Sequence, residues 1–145
     1  MKLRLLLGTA FLLALAGCGR PDPALSVRDA WIRPAPPDAR MTAAYLVIEN
    51  PGPAPAALTG VECAAFGLAE IHETVVVDGM SRMRERPRVE VPARGELALS
   101  PGGLHVMLMR PAGPMPSEGV VPLVLVFEDG RRIEVEAPVG RPGGQ

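Results

Sequence analysis

The chain has 145 residues, of which 48% are hydrophobic and only 3% aromatic, with a formal net charge of −1. That length suits a single domain with its own core, which must be built from Val, Leu, Ile and Ala because there are only one Trp, one Tyr and three Phe. The near-neutral balance, without a basic stripe, excludes a nucleic-acid-binding surface. No glycine-rich phosphate loop and no histidine-activated nucleophile motif is present, so the chain reads as a non-enzyme.

Residues 1–17 read as a leader. Lys2 and Arg4 form a basic start, and "LLLGTAFLLALA" is an apolar run too short to span a bilayer comfortably. The run ends in Leu15-Ala16-Gly17-Cys18, which resembles a bacterial lipobox. The resemblance implies cleavage before Cys18, lipidation of that cysteine, and a mature chain anchored to a membrane by lipid in the periplasm or cell envelope. Arg20 rather than an aspartate follows Gly19, so no inner-membrane retention signal is read. Loss of Lys2 and Arg4 reduces the 15 basic residues to 13, against 16 acidic ones, and all 13 are arginine. With Cys18 modified, Cys63 is the sole thiol and an intramolecular disulfide is ruled out. Its setting, "ALTGVECAAF", suits a small buried side chain better than a reactive one.

Residues 18–25 read as the lipidated cysteine and a tether, 26–138 as the folded domain, and 139–145 as a flexible tail. Within the domain, short apolar runs alternate with Pro, Gly and Asp-Gly punctuation. In chain order they are "LSVRDAWIR", "AAYLVIEN", "AALTGVEC", "LAEIHETVVV", "SRMRER", "RVEVPA", "ELALS", "LHVMLM", "VPLVLVFE" and "RRIEVEA". No long segment of helical period is free of Pro and Gly. The spacing predicts an all-β fold, a sandwich or a Greek-key barrel. Asp78-Gly79 and Asp129-Gly130 are type I′ hairpin signals, and Pro101-Gly102-Gly103 predicts a tight turn.

The chemistry sits in two of these runs. His72 and His105 are the chain's two histidines, and with Met1 removed the methionines are Met41, Met80, Met83, Met107, Met109 and Met115. If Asp78-Gly79 is a two-residue turn, Val77 faces Met80 and Thr74 faces Met83. Met83 then lies diagonal to His72 on one face, about 7–8 Å away, while Met80 falls on the other. In "GLHVMLM", Leu104, Val106 and Leu108 make one buried face. His105, Met107 and Met109 share the opposite face, and His105 and Met107 are expected to lie open to a partner. Thioether sulfur is soft and uncharged and selects Cu(I), whereas zinc sites favour Cys, His and carboxylate. A blue-copper electron-transfer site needs a cysteine beside its histidines, and Cys63 precedes both. Arg82, Arg84, Arg86 and Arg88 alternate around Met83, as a solvated strand face or as a docking patch for an acidic partner.

The spacing His72-x10-Met83-x21-His105-x-Met107 resembles the signature of the periplasmic copper-A chaperone family, PCu(A)C. "IHETVVVDGMSRMR", "LSPGGLHVMLM", "VPLVLVFEDG", "DAWIRPAPP" and "AAYLVIENPG" resemble its segments, so the likeness runs from about Leu25 to Pro138. One departure is Ser81, where members commonly carry an extra methionine two residues before the ligand methionine; Met80 lies three before. The resemblance implies a cupredoxin-like β-sandwich, acting as a monomer and holding one Cu(I) through His72, Met83, His105 and Met107. It implies delivery of that ion by ligand exchange to the dinuclear copper-A site of cytochrome c oxidase subunit II, in some members with a Sco-type thiol protein. Two rivals stand beside it: a copper-buffering or resistance lipoprotein with no dedicated acceptor, and a metal-free β-sandwich scaffold lipoprotein.

Overall fold

The computed structural model describes residues 24–141. The leader, Cys18 and most of the tether lie outside the described residues, as do the last four residues of the expected tail. Each of the ten apolar runs contributes a strand, in order: β1 (Ser26–Ile32), β2 (Met41–Asn50), β3 (Ala56–Glu62), β4 (Phe66–Val77), β5 (Met80–Glu85), β6 (Val89–Val91), β7 (Gly95–Leu99), β8 (Leu104–Pro111), β9 (Val120–Phe127) and β10 (Arg132–Pro138). They form two antiparallel sheets. One runs β1-β2-β8-β4-β5, with β7 also paired to β2; the other runs β10-β9-β3-β6. The architecture is an all-β sandwich of the cupredoxin-like type.

Alternation builds the core. Ala44, Leu46 and Ile48 of β2, Ile71 of β4, and Val106 and Leu108 of β8 are buried against Leu58, Val61, Leu123, Leu125, Phe127, Val135 and Ala137 of the other sheet. Bulges break the period of two in β1 and in β3. In β1 the register skips between Arg28 and Trp31, so Val27 packs on the core and Ile32, five positions on, is buried in it. In β3 a skip between Leu58 and Gly60 likewise lets Leu58 and Val61 share the inner face.

The turn chemistry is partly as expected. Asp78 and Gly79 have φ of 53° and 76°, the pair of positive values that a type I′ turn requires, and Val77 faces Met80. Gly103 N–H donates to the Ser100 carbonyl at 3.1 Å, with Gly102 at φ 84°, so Pro101-Gly102 is the tight turn predicted before β8. Asp129-Gly130 differs. There only Gly130 has positive φ, 85°, and its N–H donates to the Phe127 carbonyl while Phe127 N–H donates to that of Arg131. This is the longer hairpin with a left-handed glycine after a type I turn. The Asp129 side chain accepts from Arg131 N–H at 3.0 Å and favours that form.

The domain is also slightly longer than its expected limits. Leu25, assigned to the tether, is 8% exposed and belongs to the core. Val139 and Gly140, assigned to the tail, donate to the carbonyls of Gly119 and Ile32, so the chain is tied down past Pro138.

Candidate metal site

The first sheet brings the two histidines together. β4 and β8 pair antiparallel with His72 directly opposite His105, and Glu70 opposite Met107. The Asp78-Gly79 turn places Thr74 opposite Met83, so Met83 is diagonal to His72, as the sequence predicts. On the far side of β8, Ala43 of β2 faces Met107. Directly paired residues share a face, so Glu70, His72, Met83, His105 and Met107 all lie on the side away from the core, while Ile71, Val106 and Leu108 point inward.

The imidazoles are arranged as a pair that one ion could join. Their ring centroids are 6.1 Å apart, tilted by 59°. A ring nitrogen about 2 Å from a metal puts its centroid roughly 3 Å away, so rings sharing an ion can be no farther apart than about this. Each ring also has one nitrogen already engaged. His72 Nε2 lies 2.9 Å from Glu70 Oε2, and His105 Nδ1 lies 3.0 Å from the Gly103 carbonyl. An N–H donated to each oxygen fixes the tautomer and leaves the other nitrogen with a free lone pair, the usual support for a metal-bound histidine. At His72 that other nitrogen, Nδ1, is buried without a hydrogen-bond partner. Such an atom is costly unless something binds it. Gly103 holds its own position because its carbonyl also accepts from Thr74 N–H, at 3.1 Å.

No three His, Cys, Asp or Glu side chains converge as a metal-holding group among the described residues. Met83 and Met107 put thioether sulfur on the same face of the sheet as the two imidazoles, a donor type that favours Cu(I) over zinc. Fit between donor set and ion is good on both counts, the orphaned nitrogen and the soft sulfur.

Exposure departs from expectation. His105 and Met107 do face away from the core, but they are only 4% and 9% exposed, on a strand flanked by β2 and β4. They line a cavity of about 460 Å³ whose wall includes Arg33, Pro34, Ala35, Pro36 and Ala39. That loop is pinned by Thr42 Oγ1 donating to the Arg33 carbonyl at 2.7 Å and by Arg33 N–H donating to that of Ala43 at 2.9 Å. Met83, on the edge strand β5, is instead 58% exposed. The open member of the predicted set is thus Met83, on the hairpin.

Other residues take clearer roles. Glu70 was missed by the motif, although alternation alone places it on the His72 face two residues before it. Met41, 52% exposed, lines the same cavity as Met83, His105 and Met107. Tyr45 links that cavity to an aromatic row: its ring lies 6.5 Å from His105 and 4.6 Å from Trp31, with Arg33 over it. Burial pushes the Tyr45 phenol up from its usual range, against the Arg33 charge. Met80 is on the opposite face of β5, where its partner is Val77. Met109 continues the cavity-side face of β8 opposite Met41. Cys63 packs against the core, and burial raises its thiol, the signature of an inert side chain. Of the arginines, Arg86 pairs with Glu73 and Arg88 with Glu128, while Arg82 and Arg84 face Val75 and Glu73 on the side away from Met83.

Against known proteins, residues 25–139 match the family model described as "Putative lipoprotein LpqE-like". The chain belongs to this family. A "Putative lipoprotein Lxx21020" from Leifsonia xyli subsp. xyli is 32% identical over 142 residues, covering 90% of this chain and 84% of the relative. Among solved structures, the copper-bound PCuAC domain from PmoF2 superposes with a TM-score of 0.67 at 21% identity, over 85% of this chain and 97% of that one. The Cu(I) form of DR1885 from Deinococcus radiodurans gives 0.63 at 29% identity, over 90% of this chain and 85% of that one. The resemblance to PCu(A)C domains read from the sequence is borne out, and with it the fold.

Proposed function

We propose that this chain is an extracytoplasmic copper chaperone, anchored by a lipid on Cys18, that binds one Cu(I) through His72, Met83, His105 and Met107. The observation that carries this reading is the imidazole pair: two neighbouring rings, each with one nitrogen held by an oxygen and the other left available, the His72 one buried and unpartnered. The copper-bound state of two structural relatives supports the choice of ion, and the lipoprotein description of the family supports the anchor.

The chemistry is ligand exchange. His72 Nδ1, His105 Nε2 and the Met107 sulfur are the sheltered donors, and Met83 is the exposed one. A partner's sulfur can approach from the Met83 side and replace that thioether while the imidazoles still hold the ion. No electron or proton moves, since Cu(I) stays d10 and thioethers are neutral. An exposed exchangeable ligand suits handing over more than storage, and the acceptor we propose is the dinuclear copper-A site of cytochrome c oxidase subunit II, with a Sco-type thiol protein acting beside it.

Anaerobic titration of the full chain with Cu(I) against a chromogenic chelator tests the site. One tight equivalent is expected, weakened by each of His72→Ala, Met83→Ala, His105→Ala and Met107→Ala. Absence of competition, or binding indifferent to all four changes, would sink the reading. Delivery is tested separately, by deleting the gene and assaying oxidase at limiting and at excess copper. A defect confined to limiting copper is expected; unimpaired oxidase at both would leave a buffering role.

A further inference from the structure

We propose that Met41 is a second exchangeable thioether of this cavity, able to hold Cu(I) together with Met107 and so to serve as the protein's own alternative to Met83. The inference rests on the copper reading above and extends it to a residue outside the motif. Three observations carry it. First, Met41 and Met83 are the exposed sulfurs of the cavity, at 52% and 58%, while Met107 and His105 are nearly closed off. These exposed thioethers are the cavity sulfurs that an ion in solvent can touch directly. Second, the two lie on different flanks of β8: Met83 across β4 on β5, and Met41 on β2. Third, Met41 and Met107 are diagonal on adjacent strands, because Ala43 faces Met107 and Met41 is two residues along on the same face. Such neighbours are about 7–8 Å apart at the backbone, within joint reach of two long flexible side chains. The residue between Met41 and Tyr45 on that face is Ala43, which sets a methyl group rather than a bulky side chain beside Met107.

The step is balanced as a substitution at the metal. One Cu–S bond, to Met83 or to an incoming donor, breaks as the Cu–S bond to Met41 forms, and the ion's charge and oxidation state do not change. Two neutral thioethers of equal softness make the exchange nearly isoenergetic, so an ion could enter on the β2 flank and depart on the β5 flank.

A double-mutant cycle on the full chain tests it, with Cu(I) affinity read against bathocuproine disulfonate. Leucine keeps an apolar side chain of similar size and removes only the sulfur. In the Met83→Leu background, Met41→Leu is expected to cost roughly tenfold more affinity than it costs in the wild-type background, the scale of coupling between groups that share one ligand. In the same Met83→Leu protein, the ε-methyl carbon resonance of Met41 should move on Cu(I) addition. Equal effects of Met41→Leu in both backgrounds, or a Met41 methyl that does not respond, would overturn the proposal and leave Met41 a wall of the cavity. A wild-type protein that fails to compete with the chelator would instead bring down the copper reading itself.

Discussion

At the scale of single residues, Glu70 matters through the candidate ligand it touches, His72. Its carboxylate takes the Nε2 side of His72 and leaves the buried Nδ1 as the ring nitrogen without a partner. Removing such a support typically costs about 10–100-fold in metal affinity. Glu70→Ala is therefore expected to weaken Cu(I) binding by that order in chelator competition, and Glu70→Gln, which keeps an accepting oxygen, by clearly less. Equal losses in the two variants, or none, would show that the carboxylate does not orient the ring. At this scale the four motif residues were legible because soft and nitrogen donors at fixed spacing are chemically conspicuous. Glu70 was legible in principle, by alternation. The support for His105 was not, because it is a backbone carbonyl, that of Gly103, and a carbonyl has no signature in the residue type.

Among the elements, the β4–β5 hairpin matters most, since it carries Met83, the exposed member of the proposed ligand set. Its register follows from two residues with positive φ, Asp78 and Gly79. Gly79→Ala places a Cβ where nothing lies within 4 Å, so its penalty is conformational alone, about 1 kcal/mol in denaturant unfolding. A single residue inserted between Asp78 and Met80 has a larger functional effect. A slip of one position turns every side chain of a strand to its other face, so Met83 would leave the cavity side. We expect the inserted variant to fold and to bind Cu(I) no better than Met83→Ala; wild-type affinity would mean that Met83 is not fixed by this turn. The Asp129-Gly130 hairpin is the counterexample: the same dipeptide supports a different loop, because the Asp129 carboxylate bonds back to Arg131 and the strand ends set the loop length.

Across the whole molecule, stability comes from the apolar layer between the sheets and is trimmed by ion pairs at its edges. Leu123 is fully buried in β9, and Leu123→Ala should cost about 2–5 kcal/mol in denaturant unfolding, since the second sheet cannot collapse onto the void without losing its pairing. Arginine pairing holds the carboxyls of Glu49, Glu62 and Glu128 below their ordinary value of 4.5. The unfolded chain binds those protons more readily, so the contribution is present above about pH 4.5 and fades as pH falls through the lower folded values. All three are solvent-exposed, so the loss in thermal midpoint on acidification should be modest and smaller at high salt. A midpoint that rises on acidification would contradict it. By itself, the sequence determined the strands, the two faces of β8 and the β4–β5 register, because side-chain alternation and turn conformation are local properties. What only the tertiary structure decided is which strands meet and what covers them. That β8 lies between β2 and β4, setting His105 opposite His72, is a pairing between segments distant in the chain, chosen by the packing of the whole core. The bulges in β1 and β3 are likewise imposed by that core, which must bury Ile32 with Val27 and Val61 with Leu58. The shelter over His105 and Met107 belongs to the cavity and its pinned Arg33–Ala39 loop, since alternation fixes the direction a side chain points and says nothing of what stands above it.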